Sequence, residues 1–305
     1  MKRTGTLSGF LATLLAAAAL VAGPAQAQDQ APTTLTGTLA KAKETGAITI
    51  GYRESSVPFS YLNARKEPIG YSIELCRALV TAIEDTVNRS LAIKWVPVTS
   101  DSRIDAVASG KVDLECGSTT SNLERQKRVS FSPTMFVSGT KVLVKKGSPI
   151  RSFRDLAGKK VAVTAGTTNE KTLRELSEKF KLGINLLVTP DHAESFGLVK
   201  SGQADAFATD DVLLYGLIAQ DAARASYEVV GDFLSYDPYG IMYRKGDAQL
   251  AKVINDTFQV LAEDGEIERQ YKRWFLRKLP TGESLDLPMS PQLETMIQTM
   301  SVKAE

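Results

Sequence analysis

Short runs of β-branched residues alternate with longer amphipathic stretches through most of the chain, and few folds accommodate such an order. The alternation predicts strands at residues 47–52, 91–96, 112–116, 141–144, 160–164, 186–188, 206–208 and 239–243. It predicts helices at 72–87, 169–180 and 247–263, and a last helix with one apolar face formed by Ile267, Tyr271, Trp274 and Phe275. Strands that alternate with helices are typical of α/β proteins.

A repeated pattern divides the chain into two similar parts. Residues 109–114 read SGKVDL, and residues 201–206 read SGQADA. In each copy a glycine suits the position just after a helix, and an aspartate follows three residues later. A second echo pairs the strand at 47–52 and its polar loop with the strand at 160–164 and its polar loop. Two echoes in the same order predict two similar α/β lobes.

The N-terminus has the features of a Sec-type signal peptide. Lys2 and Arg3 precede an uncharged apolar run at 10–22, and the segment 24–27 (PAQA) that follows is typical of a small-residue cleavage site. As a helix, the run would span about 20 Å, which is too short for the ~30 Å hydrocarbon core of a membrane. We therefore expect residues 1–27 to be removed and the mature protein to be soluble and periplasmic.

Composition excludes several classes of function. The formal net charge is only +2, so we expect no nucleic-acid partner. One histidine and two cysteines cannot supply a zinc site, and no GxSxG elbow or glycine-rich phosphate loop occurs. We expect no metal, no cofactor and no catalytic residues.

Polar and charged side chains follow the predicted strands, where ligands bind in open α/β sheets. Three of them are arginines, Arg53, Arg103 and Arg125, and hydroxyl groups lie beside them. Arginine matches a carboxylate with a rigid fork of donors, whereas Asp210 has the charge that suits an ammonium group. Several cations with one ammonium partner indicate an amino acid that carries two carboxylates.

The sequence also resembles a known family. Segments at 51–60 (GYRESSVPFS), 70–72, 99–103, 115–127 (ECGSTTSNLERQK), 165–170, 191–192, 208–211 and 239–240 carry this resemblance. Together they are similar to the family 3 solute-binding proteins of polar amino-acid ABC transporters. The resemblance implies a type II periplasmic-binding-protein fold with two α/β lobes, which close on the ligand by bending at two hinge crossovers. It also implies a monomeric receptor that delivers L-glutamate or L-aspartate to a membrane permease.

Carried onto this chain, the resemblance implies domain boundaries and ligand contacts. The first lobe would comprise residues 38–135 and 240–279, the second 140–235, and a C-terminal tail 280–305. The crossovers would lie near 136–139 and 236–239. Contacts to the α-carboxylate would come from Ser118, Thr120, Arg125 and Thr168, and the α-ammonium would bind Asp210. The side-chain carboxylate would bind Arg53, Ser100, Arg103 and His192.

Two other functions fit parts of the same pattern. An exported cyclohexadienyl-type dehydratase would also hold carboxylates with arginines, and it would need an acid such as Glu54 or Glu124. A receptor for glutamine or asparagine would need fewer cations.

Cys76 and Cys116 could form a disulfide in an oxidising compartment, although sequence alone leaves two free thiols open as the alternative.

Overall fold

The computed structural model describes residues 34–301, so the expected signal peptide lies outside the described residues. The helices are α1 (Gly37–Thr45), α2 (Tyr71–Val87), α3 (Arg103–Ala108), α4 (Thr168–Lys179), α5 (His192–Ser201), α6 (Asp211–Gln220), α7 (Ala248–Glu263), α8 (Glu266–Tyr271) and α9 (Pro291–Met300). The strands are β1 (Ala47–Tyr52), β2 (Ser55–Ser56), β3 (Ser60–Leu62), β4 (Pro68–Ile69), β5 (Ala92–Pro97), β6 (Leu114–Glu115), β7 (Val129–Phe131), β8 (Phe136–Ser138), β9 (Thr140–Lys145), β10 (Lys160–Thr164), β11 (Asn185–Thr189), β12 (Ala206–Asp210), β13 (Tyr227–Val230), β14 (Asp237–Tyr239) and β15 (Met242–Arg244). Except for the strand at 239–243, the predicted strands and the first three predicted helices agree with these bounds to within two residues.

Two five-stranded sheets repeat one arrangement. The first has the order β5-β1-β6-β15-β7, and the second has the order β11-β10-β12-β9-β13. In each sheet the second strand of the order, β1 or β10, is parallel to both of its neighbours. The next strand, β6 or β12, pairs on its other side with an antiparallel strand. We call the first sheet with the elements packed on it the first lobe, and the second sheet with its elements the second lobe.

The sequence echo corresponds to the same hydrogen bonds in both lobes. Gly110 and Gly202 have φ values of 76° and 77°, a left-handed conformation that glycine adopts without strain. The Asp113 amide donates to the Thr49 carbonyl at 2.8 Å, and its carboxylate accepts from the Thr49 amide at 2.9 Å. Asp205 makes the same two bonds to Lys160, both at 2.8 Å. Each aspartate thus ties the start of β6 or β12 to the neighbouring parallel strand, β1 or β10.

The chain passes between the two sheets along β8 and β14, which pair with each other in antiparallel register. One continuous strand at 239–243 is therefore a wrong prediction, because β14 ends at Tyr239 and β15 begins at Met242 in another sheet. Between them the Gly240 amide donates to the Thr119 carbonyl, and the Ile241 amide donates to the Ser132 hydroxyl. These bonds interrupt the ladder and redirect the chain.

The last predicted helix packs on this crossover. All four residues of its predicted apolar face are buried, and the helix continues past α8 as a π-helical turn over Lys272–Leu276. The Phe275 ring stacks on Phe136 of β8 with ring centroids 4.9 Å apart. Beyond it, α9 buries Leu293 and Ile297 in the core of the first lobe. Helix α9 is therefore part of the packed structure around the crossovers.

A disulfide joins Cys76 of α2 to Cys116, the residue after β6, with Cα atoms 6.3 Å apart. The sequence had left this pairing open. Within residues 34–301, no helix has both the length and the apolar character needed to cross a membrane.

Candidate ligand-binding site

A narrow cavity lies where the carboxyl ends of both parallel strand sets meet. Its lining comprises Ser100, Arg103, Ser118, Thr120, Thr167, Thr168, Asn169, His192, Asp210 and Leu213. Seven of the nine residues predicted from the sequence therefore lie together on one cavity. Arg53 and Arg125 are the two predicted residues that do not line it. Thr167, Asn169 and Leu213 were not among the predicted residues.

The placement of these residues follows from the sheet topology. Ser100 and Arg103 follow β5, and Ser118 and Thr120 follow β6, whereas Asp210 is the last residue of β12. Thr168 and His192 are the first residues of α4 and α5, which follow β10 and β11. Parallel strands present their carboxyl ends on one edge of a sheet, so residues far apart in sequence converge there.

Donor groups without partners cluster around Arg103. The Arg103 Nη1 atom donates to the Ser118 carbonyl at 3.3 Å, but its Nε atom has no hydrogen-bond partner among the described residues. The Ser100 and Ser118 hydroxyl oxygens are buried and equally unpartnered in that part of the chain. Burial lowers the pKa of Arg103. Unpaired buried donors are costly, so this cluster suits a ligand that supplies acceptors.

Arg53 is fully buried behind the cavity wall, at the end of β1. None of its three guanidinium nitrogens has a hydrogen-bond partner in the described part of the chain. Burial, together with repulsion from Arg103, lowers the pKa of Arg53 to about 10. A buried guanidinium without a partner is strongly unfavourable, and an anion beside it would relieve that cost.

Arg125, the other predicted residue outside the lining, is held by main-chain carbonyls. Its Nη1 atom donates to the Thr120 carbonyl at 2.9 Å, and its Nη2 atom donates to the Gly166 carbonyl at 3.2 Å. Burial lowers its pKa to about 9. A guanidinium has five N–H donors, so Arg125 retains donors for a ligand while it links the two lobes.

Asp210 is the buried carboxylate of the cavity. Its Oδ1 atom accepts from Asn169 Nδ2 at 2.7 Å, and its Oδ2 atom accepts a short bond from the Tyr239 hydroxyl. Burial, and then repulsion from Asp237, raises the pKa of Asp210 to about 7. Asn169 was overlooked, although it lies in the AGTTNE segment that opens the predicted helix. A nearby ammonium would favour the ionised carboxylate.

His192 forms part of the cavity wall on the side of the second lobe. Its Nδ1 atom lies 2.8 Å from the Thr164 hydroxyl. Burial, followed by repulsion from Arg53 and Arg103, lowers the pKa of His192 well below its usual value. The preceding residue, Asp191, caps α5 through the Ala193 amide at 2.7 Å.

The Thr168 hydroxyl already has hydrogen-bonding partners within the protein. It donates to Asp237 Oδ1 at 2.9 Å and lies 3.5 Å from the Thr120 hydroxyl. Its proton is therefore engaged with a carboxylate, so Thr168 presents an acceptor hydroxyl to the cavity.

Direct contacts hold the two lobes together around the cavity. The Ser55 hydroxyl lies 2.6 Å and 2.7 Å from the two Asp191 carboxylate oxygens. Lys171 Nζ lies 2.9 Å from Glu124 Oε2 at the surface. Both lobes supply side chains to the cavity, so a ligand inside it touches both.

The two acids that a dehydratase would need lie outside this lining. Glu54 is exposed, and Glu124 is 73% exposed in its ion pair with Lys171. A larger groove of about 340 Å³ lies between the crossover strands and α9, but no arginine, lysine or histidine appears among the described residues that line it. It lacks the cations that a carboxylate would need.

The chain is similar to proteins of known family. The model of bacterial extracellular solute-binding proteins, family 3, matches residues 48–277. The L-glutamate/L-aspartate-binding protein of Pseudomonas aeruginosa is 43% identical over 94% of this chain and 94% of its own length. The glutamate/aspartate import solute-binding protein of Salmonella typhimurium is 40% identical over 96% of this chain and 98% of its own length.

Among solved structures, an ancestral amino acid-binding protein that is a precursor of cyclohexadienyl dehydratase is 31% identical. It aligns with a TM-score of 0.67 over 78% of this chain and 99% of its own. With matches over most of its length, the chain belongs to the bacterial extracellular solute-binding proteins of family 3.

Proposed function

We propose that this protein is a periplasmic receptor that binds L-glutamate and L-aspartate and delivers them to an ABC transporter. The observation that carries this proposal is the buried, unpartnered guanidinium of Arg53 beside Arg103 and the free donors of Ser100 and Ser118. A group of donors that lacks acceptors suits the second carboxylate of an acidic amino acid. Relatives named for glutamate and aspartate binding support the same choice.

Each part of an acidic amino acid has a suitable partner in the site. Asp210 would bind the α-ammonium, and the remaining donors of Arg125, with Ser118 and Thr120, would bind the α-carboxylate. Thr168 would contribute to that end through its position at the start of α4, since helix N-termini favour anions. Arg53, Ser100, Arg103 and His192 would bind the side-chain carboxylate.

Capture would work through lobe closure. The arginines and the residues of 100–120 come from the first lobe, whereas Thr168, His192 and Asp210 come from the second. A ligand that contacts both sets stabilises the closed arrangement, because only there are all its contacts made. Release then requires a permease that favours reopening. We propose that the receptor acts as a monomer and performs no chemistry on its ligand, since Glu54 and Glu124 lie outside the cavity lining.

Calorimetry on the mature chain, refolded to remove carried-over ligand, tests this function. L-Glu, L-Asp, L-Gln, L-Asn and prephenate would be titrated in turn. We expect binding of both acids, with thermal stabilisation of several degrees at saturating ligand, because a ligand at 100 times its Kd adds about 2.7 kcal/mol to native stability. Absence of binding to both L-Glu and L-Asp would refute the proposal. Turnover of prephenate would favour the dehydratase instead.

A further inference from the structure

A chain of buried hydroxyl groups runs behind His192. The Thr164 hydroxyl lies 2.8 Å from His192 Nδ1 and 3.0 Å from the Ser195 hydroxyl. The Ser195 hydroxyl lies 2.6 Å from the Thr189 hydroxyl, which donates to the Asp191 carbonyl at 3.0 Å. The four contacts connect the imidazole to the main chain.

Only one direction of donation satisfies all four contacts. A carbonyl only accepts, so the Thr189 hydroxyl uses its single proton there and must accept from Ser195. Ser195 has then used its own proton and accepts from Thr164. Thr164 in turn must accept from His192, so Nδ1 carries a hydrogen. The other ring nitrogen, Nε2, remains as the polar atom that His192 can present to the cavity.

When Asp210 is ionised, as the ammonium of a bound ligand favours, the buried charges around the cavity balance. Three arginines, Arg53, Arg103 and Arg125, face three buried carboxylates, those of Glu115, Asp210 and Asp237. A zwitterionic amide adds no net charge, but glutamate or aspartate adds one negative charge. One additional proton would restore the balance, and Nε2 is a site that can accept it.

We propose that His192 takes up one proton from solution when the side-chain carboxylate of an acidic amino acid binds, and that it stays neutral when a side-chain amide binds. The protonated Nε2 donates to the carboxylate, whereas the neutral Nε2 accepts from the amide N–H. Thr164, Ser195 and Thr189 are positioning residues that keep Nδ1 as the donor in both states. This inference rests on the proposed function and adds the protonation chemistry that separates acids from amides.

The charged groups that face the imidazole act in opposite directions. Arg53 from β1 and Arg103 from α3 disfavour the imidazolium. Asp191 on its own element is tied to Ser55 and Ala193, and Asp210 on β12 lies on the same cavity. A ligand carboxylate between the imidazole and the two arginines favours the imidazolium, because its negative charge compensates the imidazolium, Arg53 and Arg103.

Nitrogen NMR on protein labelled at histidine tests the inference directly. His192 is the one histidine of the chain, so protein without an added histidine tag gives a single imidazole spectrum. We expect the neutral Nδ1–H tautomer in the ligand-free protein, an imidazolium with L-Glu, and a neutral ring with L-Gln. An Nε2–H tautomer in the free protein would overturn the hydroxyl chain. A neutral ring in the glutamate complex would overturn proton uptake.

Calorimetry in buffers of different ionisation enthalpy supplies a second measurement. Glutamate should take up about one proton more in the wild type than in His192→Gln, because both proteins share any proton released by other groups. An equal proton count in the two proteins would contradict the proposal. The comparison of the two proteins uses glutamate alone, so it can be made even if the protein does not bind glutamine.

Thr164→Val separates the hydroxyl chain from general packing. The valine removes the acceptor of Nδ1, so the free ring should adopt the Nε2–H tautomer, and glutamate should bind about tenfold more weakly. Ser201→Ala is the matched control, because it removes an exposed hydroxyl on α5, the helix that begins at His192. It should change neither the tautomer of the free ring nor the affinity for glutamate. An unchanged tautomer in Thr164→Val would refute the role of the chain. If neither acid binds, the proposed function fails, but the spectrum of the free protein still tests the hydroxyl chain.

Discussion

Arg53 illustrates how burial and a missing partner together indicate a ligand. Exposed arginines of this chain, such as Arg128, make surface ion pairs with nearby carboxylates. Arg53 instead lies in the interior with three unpartnered nitrogens, where an unpaired charge lowers stability. A structural ion pair would have placed a carboxylate within bonding distance of the guanidinium. The loss of stability at Arg53 is therefore what we expect of a residue that binds an anionic ligand.

Replacing Arg53 should therefore separate stability from binding. We expect Arg53→Met to weaken L-glutamate binding at least 100-fold, the usual scale for removing one partner of a buried charge pair. The free energy of unfolding without ligand should stay within about 1 kcal/mol of the wild type or rise, because an unpaired buried charge is removed. Calorimetry and urea unfolding measure the two effects. Arg128→Met is the exposed control, and a stability loss without an affinity loss would assign Arg53 a structural role.

Asp210 should make ligand binding depend on pH. Its pKa is raised to about 7, and the ammonium of the ligand favours the ionised form, so binding releases a proton. Affinity should consequently fall as pH falls through 7. In His192→Gln, where no imidazole titrates, we expect the Kd for glutamate to rise about tenfold between pH 7 and pH 5.5.

Asp210→Asn in the same background is the control for this pH dependence. It should bind more weakly at pH 7 and show no further loss toward pH 5.5, because the titrating group is gone. If the Kd of the Asp210→Asn variant rose toward pH 5.5 as steeply as that of the His192→Gln protein, another group would be responsible for the pH dependence.

At the scale of elements, the repeated strand and helix unit is held by one aspartate in each lobe. Asp113 and Asp205 make the same pair of bonds to β1 and β10, but their surroundings differ. Asp113 is 3% exposed and also pairs with Lys41 at 2.8 Å, whereas Asp205 is exposed. If the carboxylate were removed, water could hydrogen-bond to the exposed strand amide beside Asp205 but not to the one beside the buried Asp113.

Removing each carboxylate should accordingly give unequal effects. We expect Asp113→Ala to lower the free energy of unfolding by about 2 to 3 kcal/mol, and Asp205→Ala by about 1 kcal/mol or less. Urea unfolding of both variants, with ligand absent, makes the comparison. Equal losses would show that burial does not control the strength of this repeated bond.

For the whole molecule, the two lobes meet through a close backbone approach. Gly216 of α6 faces the main chain of the first lobe, and an added Cβ would lie 2.2 Å from the Val57 carbonyl oxygen. Gly197 of α5 has no heavy atom within 4 Å of the same position. The two helical glycines thus differ in whether a methyl group would hold the lobes apart.

Alanine substitutions at these glycines test closure. We expect Gly216→Ala to weaken glutamate binding at least tenfold while ligand-free stability is unchanged or rises by up to about 1 kcal/mol, since alanine favours helix. Gly197→Ala should gain similar stability and keep wild-type affinity. Small-angle scattering with ligand should show a more open Gly216→Ala. Wild-type affinity in this variant would contradict closure around Gly216.

The sequence alone determined the α/β class, the positions of the longest strands and helices, and the chemistry available at the site. Apolar periodicity and turn glycines act over a few residues, so they can be read without the fold. The end of each predicted strand also marked where Arg103, His192 and Asp210 would converge. The exception was the strand at 239–243, because hydrogen bonds from residues far away in sequence interrupt it there.

Only the tertiary structure decided which partners each side chain has. Nothing near Arg53 in sequence foretells that it would be buried without an acceptor, or that Arg125 would bond to the Gly166 carbonyl, 41 residues away. The same holds for the Cys76–Cys116 bridge, which requires α2 and β6 to approach within bonding distance. Burial and hydrogen bonding depend on distances between segments remote along the chain, and those distances exist only once the lobes have folded and met.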